Sequence, residues 1–241
     1  MTAGTSAASP GHACHVDVWR IALATTSRDD AAALALLSAP ERARHERYLD
    51  AAAAREFAAA RAALRRLLGL RLGVAPALLR IERGPHGKPF LPEHAGTRFN
   101  AAHAGGFAAI AVSGDAEVGI DLELAAAFDA RRPLREVVCN DAERRWLAAH
   151  PEQADRALGR LWTRKEALLK ALGTGLAIEP AGVDLSAQIR ASGGTIAIAA
   201  PGGMVAATLA WTDVALGDDV LCSAAAVVAH AGATLVVARR G

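Results

Sequence analysis

The stretch Trp162-Thr163-Arg164-Lys165-Glu166-Ala167-Leu168-Leu169-Lys170, followed by Gly173-Thr174-Gly175, constrains this chain more than any other. At about 100° per residue, Leu161, Trp162, Leu168, Leu169 and Leu172 cover one continuous arc. The segment therefore predicts a helix with one buried stripe, stopped by glycine. Lys165 falls inside that arc, and Glu166 lies at its edge, one turn before Lys170. A lysine among leucines is costly unless its charge is satisfied. An internal partner, solvating water or an anionic ligand would each answer that need.

A second constraint is Val118-Gly119-Ile120-Asp121-Leu122-Glu123, which reads as a strand. On a strand, Asp121 and Glu123 point to the same face. Two such carboxylates can share a hard cation, and a third would leave positions open for water and phosphate oxygens. Glu166 is the candidate third. Taken alone, an Asp-x-Glu pair more often marks a solvated strand face.

Composition narrows the class. The 241 residues suffice for one large domain or two small ones. A net charge of +2 argues against a general nucleic-acid binder, which usually carries a basic stripe. Three cysteines, Cys14, Cys139 and Cys222, imply no disulfide framework and suit a reducing cytoplasm. There is no apolar run long enough for a membrane span and no export-signal pattern at the N-terminus.

Residues 1–15 are expected to be a disordered tail. Val16 to Ile21 alternates as a strand, and 29–37 and 40–49 read as short helices, the second holding Arg42, Arg44 and Arg47. Asp50 offers an N-cap to a helix over 51–68 ended by Gly69. On it, Arg55 and Arg66 are a solvated face or an anion-binding surface. Residues 82–90 form a Gly/Pro-rich loop carrying Lys88. Asn140 to Glu143 reads as a capping box. Short apolar stretches after residue 190 suggest antiparallel strands. Helices and strands segregate, so the expected class is α+β, with lobes at 16–115 and 116–241.

Together these pieces resemble the 4′-phosphopantetheinyl transferases, specifically the long, monomeric, surfactin-synthetase-activating type. The resemblance rests on Gly87-Lys88-Pro89, on Phe99-Asn100 with His103, on Gly119-Ile120-Asp121-Leu122-Glu123, and on Trp162 to Lys170 with the glycines after it. It implies two similar α+β lobes related by a pseudo-twofold, each with a small antiparallel sheet and packed helices. It further implies a cytoplasmic monomer that moves the phosphopantetheine arm of coenzyme A onto a serine of an apo carrier protein. Fatty-acid, polyketide and nonribosomal-peptide carriers all qualify. The by-product would be 3′,5′-ADP.

Under that resemblance, Asp121, Glu123 and Glu166 would hold Mg2+. Lys165 would face phosphate oxygens or the carboxylates, and Lys170 would meet phosphates or pair with Glu166. Lys88, Pro89 and His103 resemble contacts to the 3′-phosphate and adenosine half, and Arg55 and Arg42 resemble further phosphate contacts. The serine proton would pass to Glu166, to Glu143 or to metal-bound water. Two departures stand out: Ala102 and Ala104 replace the hydroxyl residues expected beside the histidine. They motivate a second reading, a non-catalytic module of the same fold that binds coenzyme A or a carrier protein.

Overall fold

The structure is a computed structural model that describes residues 13–23, 27–128, 133–174, 177–199 and 207–240. Its fold is mixed α+β. Gly175, one of the expected helix-stopping glycines, lies outside the described residues, as does the 205–206 part of one expected strand.

Local sequence rules explain the main helices. Helix α1 is Ser27–Leu34 and α2 is Ala39–His45. Helix α3, Ala51–Leu72, starts where the Asp50 carboxylate accepts from the amides of Ala52 and Ala53. It runs past Gly69 and stops at Gly73, whose φ of 67° is the left-handed conformation a helix terminus needs. Gly69 is glycine for another reason: a Cβ there would lie 2.6 Å from the Val74 carbonyl oxygen. Helices α4, Leu134–Val138, and α5, Asp141–Ala149, follow. Asn140 opens α5 with the reciprocal bonds of a capping box. Helix α6, Ala154–Leu172, ends at Gly173 with φ 70°.

Ten strands are described: β1 Ala13–Ala22, β2 Glu82–Arg83, β3 Pro89–Phe90, β4 Arg98–Ala104, β5 Phe107–Ser113, β6 Val118–Leu124, β7 Gly193–Ile198, β8 Ala207–Asp213, β9 Val220–Val228 and β10 Thr234–Arg240. One sheet has the order β10-β1-β5-β4 and the other β6-β9-β8-β7, while β2 and β3 close the 82–90 loop as a two-stranded ribbon.

Three expectations change. Ala13 to His15 are the start of β1 rather than tail, and the rest of the expected tail, 1–12, lies outside the described residues. The last strand, β10, joins the first sheet rather than the sheet of the chain's second half. It runs parallel to β1, so that sheet is mixed, whereas the second sheet is antiparallel throughout. Strand patterning reports which face is buried but not which edge is joined.

The two sheets share a core: Val16, Val18, Ala109 and Ala111 pack with Ile120, Leu122, Cys222 and Ala224. On the first sheet, α3 buries Leu64 and Leu68 against Phe99, Ile110 and Val112. On the second, α6 buries Leu158, Leu161 and Leu168 with Leu209, Trp211 and Ala225. Strand β6 therefore gives Ile120 and Leu122 to the inter-sheet core and turns Gly119, Asp121 and Glu123 toward α6.

Candidate active site

Strands β4 and β6 run side by side, and Asn100 joins them: its Oδ1 accepts from the buried Ile120 amide at 3.1 Å. Asn100 thus places the β4 motif against the β6 motif. Gly119 does the same between β6 and α6. A Cβ at Gly119 would sit 2.0 Å from the Ala167 carbonyl oxygen and 2.5 Å from the Ala171 nitrogen. Only glycine permits that approach, and it brings Asp121 under Glu166 and Lys170.

A cavity of about 430 Å³ opens at this junction. Lys88 and Pro89 line it from the 82–90 loop, His103 from β4, and Glu166 and Lys170 from α6. Three of the motifs separated in sequence therefore line it, and the fourth, on β6, meets it through the contact of Asp121 with Lys170. Arg44, Arg61, Arg83 and His86 complete a wall rich in cationic groups, and Phe57 adds an aromatic face beneath Arg44. Such a wall suits a polyanionic ligand.

Sequence reasoning does not single out Arg61 or its neighbour Arg65. Both fall on the Phe57–Leu64–Leu68 stripe of α3, where a charge among apolar residues is a usable signal. Glu41 of α2 pairs with both, bonding Arg61 Nε at 2.7 Å and Arg65 Nε at 2.8 Å.

The expected phosphate contacts divide. Lys88 lines the cavity, but its ammonium is engaged by Glu117 at 2.6 Å and by the Ala171 carbonyl at 2.7 Å. Burial pulls its pKa down, and Glu117 opposes that. His103 is likewise held down by burial, with Glu56 opposing. Arg42 and Arg55 do not line the cavity: both are exposed, and the Arg42 guanidinium turns back to the Leu37 carbonyl. Their neighbours Arg44 and Arg61 line it instead. Ala102 also lines the cavity, at the position where the resemblance calls for a hydroxyl.

Lys165 is not brought to the cavity either. Its side chain is 0% exposed, and its ammonium donates to Glu143 Oε2 at 2.6 Å and to the Val138 carbonyl at 2.7 Å. Glu143, also 0% exposed, accepts from the Asn140 and Leu185 amides as well. Its carboxylate accepts three hydrogen bonds and does not line the cavity. The lysine in the apolar arc has an internal partner, and the need for a ligand there disappears.

Lys170 is different. Its Nζ lies 2.5 Å from Asp121 Oδ1. Asp121 is only 5% exposed, and its other oxygen, Oδ2, is buried without a hydrogen-bond partner. Burial pushes the Asp121 carboxyl up to about 6; Lys170 opposes this, while Glu123 and Glu166 add to it. Burial also raises Glu166. Lys170 is raised overall, because Asp121, Glu166 and Glu123 outweigh its desolvation. Glu123 is oriented by the Trp162 indole, which donates to its Oε1 at 3.0 Å. The tryptophan of the α6 motif therefore positions a carboxylate of the β6 motif. Among the described residues, no group of three or more His, Cys, Asp or Glu side chains is drawn together tightly enough to hold a metal ion. The cation among these three carboxylates is the Lys170 ammonium.

Comparison with known proteins identifies the family. The profile of the 4′-phosphopantetheinyl transferase superfamily matches residues 117–211. That of the 4′-phosphopantetheinyl transferase N-terminal region matches residues 24–115. The 4′-phosphopantetheinyl transferase HetI of Nostoc sp. is 35% identical over 166 residues, covering 67% of this chain and 70% of HetI. The protein slr0495 of Synechocystis sp., whose name as such a transferase is provisional, is 36% identical over 154 residues, 59% of each chain. The transferase AcpT of Salmonella typhimurium is 38% identical over 91 residues, covering 37% of this chain and 47% of AcpT. With both profiles matched along most of its length, and with a relative of this similarity, this chain belongs to the 4′-phosphopantetheinyl transferase superfamily.

Proposed function

We propose that this protein transfers the 4′-phosphopantetheine arm of coenzyme A to a serine of an apo acyl- or peptidyl-carrier protein and releases 3′,5′-ADP. Family membership supports the reaction class. The observation that carries the reading is the junction of a cationic cavity with a buried aspartate whose Oδ2 has no partner. In this reading the chain is of the long, monomeric, surfactin-synthetase-activating type, with coenzyme A between its two lobes.

The donor chemistry suits Mg2+, although the carboxylates would have to draw closer to share one ion. Three carboxylates, Asp121, Glu123 and Glu166, act electrostatically on one another, and Asp121 Oδ2 is buried with nothing to bond. Hard divalent cations prefer such oxygens. When bound, Mg2+ would neutralise charge on the diphosphate as it develops in the transition state. Arg44, Arg61, Arg83, Lys88 and His103 would bind the anionic ligand and fix its orientation, and Lys170 would reach its phosphates. Positioning and charge neutralisation are what phosphoryl transfer demands.

Glu166 would accept the serine proton. It lines the cavity, and burial raises its pKa toward the range useful to a base. The serine oxygen forms a bond to the pantetheine-bearing phosphorus, the bond to the bridging oxygen breaks, and 3′,5′-ADP leaves with the electron pair. Lys165 and Glu143 would serve by anchoring α6, with no contact to the ligand. Asp121, Glu123 and Glu166 are all present, which favours catalysis over the non-catalytic reading.

Intact-protein mass spectrometry tests this. Apo carriers from fatty-acid, polyketide and nonribosomal-peptide systems are incubated with the protein, coenzyme A and Mg2+, with and without EDTA. A phosphopantetheine-sized mass gain that EDTA abolishes is expected on at least one. Coenzyme A binding without gain on any carrier would overturn transfer in favour of the non-catalytic module.

A further inference from the structure

We infer that Lys170 is a tethered counter-cation: its ammonium competes with the divalent cation for the Asp121 carboxylate until an anionic ligand draws it into the cavity. The inference rests on the metal reading above and extends it to the order and coupling of binding.

The geometry sets the competition. Lys170 Nζ takes Asp121 Oδ1 at 2.5 Å while Oδ2 stays buried and unpartnered. A carboxylate with one oxygen bonded and one orphaned is half-satisfied, in contrast to the saturated Glu143. The Glu123 and Glu166 carboxylates act on the same ammonium, and Glu123 keeps its Trp162 bond. His103 lines the same cavity from β4, and its pKa feels the Lys170 charge. Divalent charge placed beside this ammonium is repelled at short range, so a metal ion entering here must push the lysine aside.

Lys170 has somewhere to go. Its side chain is 31% exposed and lines the cavity with Arg44, Arg61 and Lys88. A phosphate in that cavity would offer the ammonium a replacement for Asp121. Anionic ligand and divalent cation would then favour each other's binding through one swinging side chain. By linkage, that coupling is reciprocal.

The test is Mn2+ binding followed by electron paramagnetic resonance, with and without 3′,5′-ADP. Wild type is expected to bind Mn2+ weakly alone and more tightly with 3′,5′-ADP. In Lys170→Met, affinity for Mn2+ alone should rise about tenfold and the enhancement by 3′,5′-ADP should shrink, within the usual range of coupling between sites. Lys170→Arg, which keeps the charge, should stay weak. Lys170→Gln and thermal unfolding of every variant guard against misreading a folding defect. Mn2+ binding that is indifferent to residue 170 overturns this inference and leaves the metal reading intact. An absence of Mn2+ binding in all variants, even with 3′,5′-ADP, overturns the metal reading itself and this inference with it.

Discussion

Two lysines on α6, one buried in the core and one at the cavity, each hold a carboxylate, and the contrast between the pairs separates architecture from chemistry. Lys165 and Glu143 are wholly enclosed, and the carboxylate accepts three hydrogen bonds. Lys170 and Asp121 touch as closely, yet one aspartate oxygen has no partner and the lysine reaches open space. A saturated buried pair fixes geometry and has nothing left to offer a ligand. A half-satisfied pair beside a cavity holds charge in reserve, as reactive sites do.

The largest effect expected from breaking this contrast is on activity at the second pair. Asp121→Asn or Glu166→Gln should lower kcat/KM by about 10²–10³-fold, the scale for removing one electrostatic element of a transition-state site. The thermal unfolding midpoint should hold or rise, because a buried charge is relieved. A carrier-modification assay beside a melt reads both.

The first pair should behave in the opposite way. Lys165→Met or Glu143→Gln alone leaves an uncompensated buried group and should cost about 3–5 kcal/mol. The double variant Lys165→Met with Glu143→Leu should recover much of that loss. Denaturant unfolding of the four proteins measures the coupling. If the single variants stayed stable but inactive, the anchoring role would be wrong.

Gly119→Ala probes what positions the second pair. Its Cβ would collide with the Ala167 carbonyl, so α6 must shift from β6. Overpacking of this kind costs about 1–3 kcal/mol. The activity loss should exceed what that destabilisation explains, since Asp121, Glu166 and Lys170 move apart. Activity measured well below the melting temperature separates the two.

The smallest effect is a pH slope. Burial raises Asp121 from an ordinary value of 3.8 to about 6. The folded protein thus holds a proton that the unfolded chain has lost. The resulting stabilisation is fully present below about pH 3.8 and fades as pH rises through about 6. In EDTA, wild-type stability should fall across this window by about 1–3 kcal/mol relative to Asp121→Asn. Parallel melts at stepped pH values check it, and identical slopes would refute it.

Much of the frame is legible in the chain. Asp50 and Asn140 cap helices as their side chains predict, and Gly173 stops α6. These are local rules, satisfied within a few residues. The period of two in β6 puts Asp121 and Glu123 on one face because strand geometry allows nothing else. The costly lysine in the apolar arc is equally legible, from the helical period alone. Its partner is not, because Glu143 lies 22 residues away and meets it only when α5 folds onto α6.

What sequence alone determined is therefore the set of charged groups that could not be left unpaired, and the elements that carry them. Tertiary structure decided which of them were answered internally. It gave Lys165 to Glu143, drew Arg44 and Arg61 into the cavity in place of Arg42 and Arg55, and carried β10 to the first sheet. It also left Asp121 with one free oxygen. The reason is physical: propensity and periodicity act over one or two turns, whereas the satisfaction of a buried charge depends on groups that only packing brings within about 3 Å.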